Sequence, residues 1–533
     1  MSPEAIYETA ASSLVLLLPE FLLLATAMVM MTLGAFIRVP RRAWSITSAA
    51  ALGVALILLI AVRNVETDMY GSVVLNDALS FYARLVFLIT GLILLGMAHD
   101  QVDDARAPEF FGMLMMINAG AMLVATANEM VFLFVGLELV SIPTYLLLYL
   151  SRRTASTQEA ATKYFFLSIF SSGLLLFGLA YLYGMTGISN LKALALLNDR
   201  SIPFAGIPHL QFGLIAIVFI LAGLGFRVAA VPFHFYAPDV YQGSPTVLAA
   251  LLSWVPKGLG FVAIIRTLGA IIGGMGADGR LGSKAVLIAA VIAVVTMTLG
   301  NTVALAQNNL KRLLAYSSIA HAGYLMIGVA VMFRNGANGG VTLGAESVLY
   351  YLVAYAVMTL GAFAIIIALN SGDRPVETVD DMAGLAATHR PLALEMVICL
   401  LSLAGIPPLA GFVGKFELFA SAWGASRGED AGLFQGLAII GAVNSAIGAY
   451  YYLRIIVVMF LRPALKPFSV RLTWPTGAAI TACTLLTFLL GPLATPIMQA
   501  SHEAAVAASA TPKPPLLLRP GTAKPIVKTA AAR

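Results

Sequence analysis

The sequence predicts an all-α polytopic membrane protein of about fourteen transmembrane helices, and three observations carry that reading. The chain of 533 residues is 60% hydrophobic with a mean hydropathy of +0.90, and only 11% of it is charged, 32 Lys+Arg against 26 Asp+Glu. A soluble globule carries roughly 25% charged residues, so that class is excluded. Apolar runs of about 18 to 25 residues recur, each long enough at about 1.5 Å per residue to cross about 30 Å of hydrocarbon. The runs are solid rather than alternating, which rejects a transmembrane β-barrel and leaves helices that satisfy their backbone internally.

Each run has its own boundary signals. The first starts near Ser13, preceded by Glu4 and Glu8 and followed by Arg38, Arg41 and Arg42; the second starts at Trp44 and the third at Ala78. The fourth starts at Phe110 after Arg106, the fifth at Met130 with Glu138 inside it, and the sixth at Tyr164 after Arg152, Arg153 and Lys163. The seventh, from Phe212, holds Arg227, and the eighth, from Val247, holds Lys257. The ninth starts at Ala285, the tenth at Leu313 after Lys311 and Arg312, and the eleventh at Val348. The twelfth starts at Pro391 after Arg374 and Arg390, the thirteenth at Leu433, and the fourteenth at Trp474 after Arg462, Lys466 and Arg471.

The basic connections alternate, so the Lys/Arg-rich loops share one face, which the positive-inside rule assigns to the cytoplasm. Both termini are then expected outside, and acids rather than bases before the first run argue against a cleavable signal peptide. After Met498 the composition turns to Ala, Pro and Lys, which cannot bury a core and is expected to be disordered. Cys399 and Cys483 stand alone in apolar runs, so no Cys/His cluster is spelled out for zinc, iron–sulfur or haem, and no disulfide framework exists. The net charge of +6 is no argument for nucleic acid, because basic residues gather in cytoplasmic loops.

A charge near the bilayer centre costs about 2.5–3.5 kcal/mol on insertion scales, which makes each one a functional candidate. Glu138, Arg227, Lys257, Lys415 and Glu395 qualify. Glu395 and Arg266 fall near run ends, where long side chains snorkel to the interface. For Glu138, Lys257 and Lys415 the alternative is a purely structural ion pair.

Two of these runs are also interrupted. The seventh carries Val231-Pro-Phe-His-Phe-Tyr-Ala-Pro-Asp-Val-Tyr-Gln-Gly-Ser-Pro245, and the twelfth Leu403-Ala-Gly-Ile-Pro-Pro-Leu-Ala-Gly-Phe-Val-Gly-Lys415. Proline removes a helical N–H, so helices 7 and 12 should break near mid-membrane. Paired discontinuous helices beside buried cations point to an ion pathway; an ordinary proline kink is the alternative at either site. Burial can bring a lysine toward neutrality near pH 7, so a buried lysine can load and release a proton. Arg227 can pair and gate but not carry, since guanidinium stays charged. His234 in the seventh-run break and His321 in the tenth run are possible relays, or satisfied packing residues.

Four segments together resemble the subunit N family of antiporter-like membrane proteins from bacterial respiratory complex I, the proton-translocating NADH:quinone oxidoreductase. They are Gly136-Leu-Glu-Leu-Val-Ser-Ile-Pro-Thr-Tyr, the Val231 to Pro245 segment, Asn309-Leu-Lys-Arg-Leu-Leu-Ala-Tyr-Ser-Ser-Ile-Ala-His-Ala-Gly-Tyr, and Leu401-Ser-Leu-Ala-Gly-Ile-Pro-Pro-Leu-Ala-Gly-Phe-Val-Gly-Lys-Phe. The likeness runs to about Met498. It implies fourteen helices containing two five-helix units related by inversion. Residues 1–109 would hold helices 1–3, 110–273 the first unit (helices 4–8), 274–461 the second (helices 9–13), 462–499 helix 14, and 500–533 a disordered tail.

Carried over by position, the resemblance makes Glu138, Lys257 and Lys415 a charged axis for proton translocation, with Arg227 as the partner of Glu138. It implies no cofactor in this chain: NADH, flavin, iron–sulfur clusters and quinone belong to partner subunits. The expected partners are the adjacent antiporter-like subunit, the small membrane subunits and the lipid of the bacterial inner membrane.

One departure matters. The family expects Lys in the segment that here reads Gly223-Leu-Gly-Phe-Arg227, and Gln242 stands where an acid is common. Either Arg227 is a fixed gate beside a working lysine pair, or this chain transmits conformational change without pumping. Two further readings stay open: a stand-alone or Mrp-type cation/proton antiporter, and a structural subunit.

Overall fold

The computed structural model describes residues 3–151, 154–195, 210–275, 280–334, 340–370, 376–426, 430–464, 468, 470 and 472–509. Arg152, Arg153, Arg374, Lys466, Arg471 and residues 510–533 of the expected tail lie outside the described residues.

Twenty α-helices account for almost all of the described chain. They are α1 (Pro3–Leu16), α2 (Leu18–Phe36), α3 (Arg41–Ala61), α4 (Ala78–Ala98), α5 (Ala107–Thr126), α6 (Met130–Ser151), α7 (Ala155–Thr186), α8 (Leu191–Leu194), α9 (Leu210–Val228) and α10 (Tyr236–Gly243). There follow α11 (Thr246–Met275), α12 (Arg280–Leu305), α13 (Leu310–Met332), α14 (Gly340–Leu369), α15 (Leu385–Thr388), α16 (Arg390–Ala404), α17 (Ala410–Ala425), α18 (Ala431–Leu461), α19 (Trp474–Leu489) and α20 (Thr495–Ser509). Eleven described helices are long and apolar enough to span a membrane, with Phe212–Val228 and Trp474–Leu489 as shorter apolar helices. The chain is therefore an all-α polytopic membrane protein.

Local chemistry sets the helix ends. Asp77 and Ser80 form a reciprocal capping box at the start of α4, with Asp77 accepting from the Ser80 N–H (2.8 Å) and Ser80 Oγ from the Asp77 N–H (3.1 Å). Thr154 caps α7 by accepting from the Thr157 N–H (3.3 Å), so this helix begins at Ala155 rather than near Tyr164. The first apolar run is divided at Leu17, and α2 carries Pro19 in its first turn, where a missing N–H has no helical partner to lose.

Both expected interruptions are present. α9 stops at Val228, Ala229 adopts φ +57°, and helix resumes only at Tyr236. α16 stops at Ala404 with Gly405 at φ +89°, a conformation that glycine adopts without steric cost. Pro407 and Pro408 then separate it from α17.

α11, α13 and α14 form the enclosed centre, where Trp254, Tyr324, Tyr351 and Tyr355 are fully buried. α12 lies tightly on α13, because a Cβ on Gly323 would stand 2.4 Å from the Met297 backbone nitrogen. On the outer helices α2, α3 and α7, large apolar side chains such as Met28, Ile57 and Phe166 point away from the protein, as a lipid-facing surface requires.

Residues 500–509, expected within a disordered tail, instead belong to α20, which packs on α14 and α4. Its alanines are strong helix formers, and their small side chains allow close approach. The Tyr82 and Ser501 hydroxyls bond at 2.9 Å, while Lys192 Nζ donates to the carbonyls of Ala507 (2.7 Å) and Ala508 (3.3 Å).

Candidate functional site

Glu138, Arg227, Lys257 and Lys415 fall into two groups with aromatic side chains between them. In the first, Arg227 occupies the last turn of α9, where the helix dipole favours a cation. It pairs with Glu138 of α6 at 2.9 Å and reaches the Leu137 carbonyl at 3.2 Å and the Ser141 hydroxyl. Ser172 of α7 bridges the pair, donating to the same Glu138 Oε1 at 2.5 Å and accepting from Arg227 Nη2 at 3.3 Å. Arg227 is buried, whereas the Glu138 side chain is 24% exposed and opens toward the edge of the bundle.

The second group occupies the core. Lys257 of α11 is buried and donates to the Ser318 hydroxyl on α13. Ser318 also bonds the Tyr355 hydroxyl at 2.7 Å and the Tyr241 hydroxyl at 3.4 Å. One helical turn along α13, His321 sets its Nδ1 2.5 Å from the Tyr351 hydroxyl and its Nε2 3.0 Å from the Tyr452 hydroxyl. Tyr452 bonds Ser317 in turn, and the His321 ring lies 5.2 Å from that of Tyr355.

Lys415 of α17 completes this group by turning into the gap between α16 and α17. Its Nζ donates to the carbonyls of Leu403 (2.9 Å) and Ala404 (3.0 Å) and to Ser445 Oγ (2.9 Å). Those carbonyls are free because α16 has ended; an unbroken helix would have consumed them. Gly405 gives the space, since a Cβ there would stand 3.0 Å from Lys415 Cδ. The Lys415 ammonium also lies 5.0 Å from the centre of the Tyr324 ring. Neither lysine has a carboxylate partner among the described residues, so each holds its proton through neutral acceptors alone.

No direct hydrogen bond joins Arg227 to Lys257 among the described residues. Tyr164, Tyr236 and Tyr241 fill the interval, with the Tyr164 and Tyr236 rings 5.7 Å apart and the Tyr236 hydroxyl donating to the Phe226 carbonyl (3.0 Å). The structure thus brings Glu138 to Arg227, and Lys257 toward Lys415 through His321. His234 is not part of either group; its Nδ1 is buried without a partner among the described residues.

Arg266 does not extend to the protein surface: Asp77 binds it through both oxygens (2.5 and 2.6 Å), and the Ala125 carbonyl accepts from its Nη2 at 2.7 Å. Glu395 is partly buried on α16.

Sequence reasoning passed over two features. The tyrosines that hold His321 are neutral and unremarkable in an apolar run, and only tertiary placement reveals them. Glu20 of α2 and Arg84 of α4 form a fully enclosed ion pair at 2.7 Å, away from the axis above. Its signal was available, since each residue interrupts an apolar run.

Among the described residues no group of three or more His, Cys, Asp or Glu is placed to hold a metal, and both cysteines are free and buried. What the arrangement offers is proton chemistry: buried lysines and a histidine, each hydrogen-bonded within its own cluster of hydroxyls or carbonyls, with aromatic rings between the clusters.

Comparison with known proteins places this geometry. Residues 127–441 match the family described as NADH:quinone oxidoreductase/Mrp antiporter, transmembrane. The chain is 38% identical over 435 residues to NADH-quinone oxidoreductase subunit N of Trichlorobacter lovleyi, covering 81% of this chain and 84% of that one. It is 34% identical to subunit N of Paramagnetospirillum magneticum, covering 92% and 97%. A chain in the structure of respiratory complex I from Thermus thermophilus with bound aureothin superposes with a TM-score of 0.74 at 30% identity, over 91% of this chain and 100% of that one. A chain of the Mrp complex from Dietzia shares the fold, with a TM-score of 0.76 at 21% identity over 96% and 98%. The chain therefore belongs to the NADH-quinone oxidoreductase subunit N/Mrp antiporter family of membrane proteins.

Proposed function

We propose that this chain is the antiporter-like subunit of a proton-pumping NADH:quinone oxidoreductase, in which redox energy released in partner subunits drives protons along Lys257 and Lys415. The observation that supports this most is the succession from Lys257 through the Ser318 and Tyr355 hydroxyls to the His321 ring, 5.2 Å from that of Tyr355, and on to the Tyr324 ring, 5.7 Å from His321 and 5.0 Å from the Lys415 ammonium. Among the described residues neither buried lysine has a carboxylate counter-charge that would trap its proton. Glu138 and Arg227 act as the gate. Opening their pair changes the field at Lys257, and a change of several kcal/mol is enough to alter lysine occupancy.

In this reading fourteen spans are formed by α2 to α7, α9 with α10, α11 to α14, α16 with α17, α18 and α19. Residues 110–273 and 274–461 are the two inverted units, and both termini face the outside of the inner membrane. The adjacent antiporter-like subunit and small membrane subunits are the lateral partners, and all electron carriers and quinone reside elsewhere in the complex. Purification of the complex through this chain tests the assignment: iron–sulfur and flavin subunits should come with it. Recovery with Mrp-type subunits alone would instead identify a cation/proton antiporter.

Arg227 favours a second reading, coupling without pumping, because its guanidinium cannot release a proton. Under the gate model Arg227→Lys should leave the protons pumped per electron pair close to the parental value in reconstituted complex. A gain of a whole proton per pair would show that the parental chain does not pump.

A further inference from the structure

We infer that the Ser445 hydroxyl of α18 serves Lys415 in both of its protonation states, accepting from the ammonium and donating to the neutral amine. The inference rests on the proposed proton-carrying role of Lys415 and adds the residue that balances its release and reloading. Donors and acceptors around this nitrogen match in both states only because Ser445 can reverse its bond.

An ammonium has three N–H donors, whereas a neutral amine has two and a lone pair that accepts. Lys415 Nζ bonds the Leu403 carbonyl (2.9 Å), the Ala404 carbonyl (3.0 Å) and Ser445 Oγ (2.9 Å), so the charged form is fully matched. When the proton leaves, the two remaining N–H groups match the two carbonyls, and the lone pair needs a donor. Carbonyls only accept, and the Tyr324 ring, centred 5.0 Å from Nζ, presents a face that attracts cations. Of the groups bonded to Nζ, Ser445 alone has a hydrogen to give.

Ser445 is placed for this reversal. Its hydroxyl donates to the Ala404 carbonyl at 3.3 Å, long for an O–H···O bond, so little is given up when it turns. Position 405 is glycine, and a Cβ there would stand 3.3 Å from Lys415 Nζ and 3.5 Å from Ser445 Oγ, crowding the space in which both atoms move. The neighbouring Asn444 is buried and fixes the rotation of α18: its Nδ2 donates to Thr298 Oγ1 (3.2 Å) and its Oδ1 accepts from Asn301 Nδ2 (3.3 Å), both on α12. Lys257 repeats the pattern, since its bonded partner Ser318 is also a hydroxyl.

On release one N–H bond of the Lys415 ammonium breaks and an O–H bond forms on water, which takes the proton. The Ser445 O–H turns from the Ala404 carbonyl to the amine lone pair, and reloading reverses both changes. The titratable groups facing this site from the elements packed on α17 are Tyr324 and His321 of α13, Tyr351 of α14, and Tyr452 of α18, which bonds His321. Glu395 lies more than two turns before the end of α16, Cys399 of α16 and Cys483 of α19 meet at Gly361 of α14, and Glu417 points to a different side of α17, two residues along. All of these groups are unchanged in variants of Ser445.

The test is the rate of proton pumping by the intact complex in proteoliposomes, taken at each pH as a ratio to the parental rate, for Ser445→Ala, Ser445→Thr and Lys415→Ala. Without the hydroxyl, the ammonium loses a charge-assisted hydrogen bond and the amine only an ordinary one, and the first is the stronger. Lys415 then loads less readily. The Ser445→Ala rate should stay close to parental at low pH and fall about tenfold below it as pH rises, because the difference between the two bonds corresponds to about 1 pH unit. Ser445→Thr keeps the hydroxyl and should stay close to parental throughout. A Ser445→Ala ratio that is constant across pH, at any value, or that rises with pH overturns the inference, and so does a Ser445→Thr ratio that follows it. Should Ser445→Ala fail to assemble, Ser445→Cys, whose thiol is a weak donor and acceptor, is held to the same criterion. A parental rate in Lys415→Ala at every pH would instead refute the reading of the lysine itself.

Discussion

Replacing Lys257 or Lys415 by alanine is expected to abolish most proton pumping by the complex and, where coupling is tight, to slow quinone reduction with it. The physical reason is that each ammonium is the one group at its level able both to hold a proton in the low-dielectric interior and to give it up. Among the described residues Lys257 donates to the Ser318 hydroxyl and Lys415 to two carbonyls and a hydroxyl, so removing either amine leaves no substitute amine in its place. The protein should still fold. Ser318 keeps its bonds to Tyr355 and Tyr241, and the carbonyls freed at Lys415 can take water. Pumping is read from acidification of proteoliposomes during NADH oxidation, with assembly checked on the same preparation. Parental pumping in both alanine variants would remove these lysines from the proton route.

The second large effect concerns stability. Arg84→Leu leaves Glu20 enclosed with no counter-charge, and breaking a buried pair on one side typically costs about 3–5 kcal/mol. Glu20 and Arg84 have no solvent exposure, and Arg84 additionally ties the Leu16 carbonyl at 2.9 Å, where α1 gives way to α2. The expected outcome is a marked fall in the thermal midpoint of the complex or in the amount assembled. The double variant Glu20→Leu with Arg84→Met should recover most of the loss, since well-packed apolar replacements of a buried pair are often neutral or stabilising. Equal instability in the single and double variants would show that packing around the pair, rather than the stranded charge, governs the site.

The charges within the spans were legible in the sequence because the bilayer is a severe filter. Glu138, Arg227, Lys257 and Lys415 each interrupt a long apolar run, and each cost is large enough to imply a reason. The breaks were legible through Pro232 and the Pro407-Pro408 pair, which deny the helix its N–H groups. The partners of the charges were not. Tyr351, Tyr452 and Ser318 are ordinary residues of apolar helices, and they acquire meaning only when α13, α14 and α18 are packed together. The Glu20–Arg84 pair joins residues 64 positions apart, so no local spacing announces it, although each charge met the same criterion as Lys257. Arg266 falls near a run end; Asp77, the capping residue of a distant helix, keeps it from the protein surface. α20 was hidden by composition, since an alanine-rich segment carries too little hydrophobic bulk to suggest a packed helix until its neighbours are known.

The central claim is that Lys257 works by releasing a proton and not merely by carrying charge. Lys257→Arg separates the two, because guanidinium keeps the positive charge and hydrogen-bond donors while staying protonated. The measurement is protons pumped per electron pair by the reconstituted complex, compared with the parental enzyme at matched assembly. The account predicts a loss in stoichiometry comparable to that of Lys257→Ala. An unchanged stoichiometry in Lys257→Arg would contradict it and leave charge alone as the contribution of Lys257.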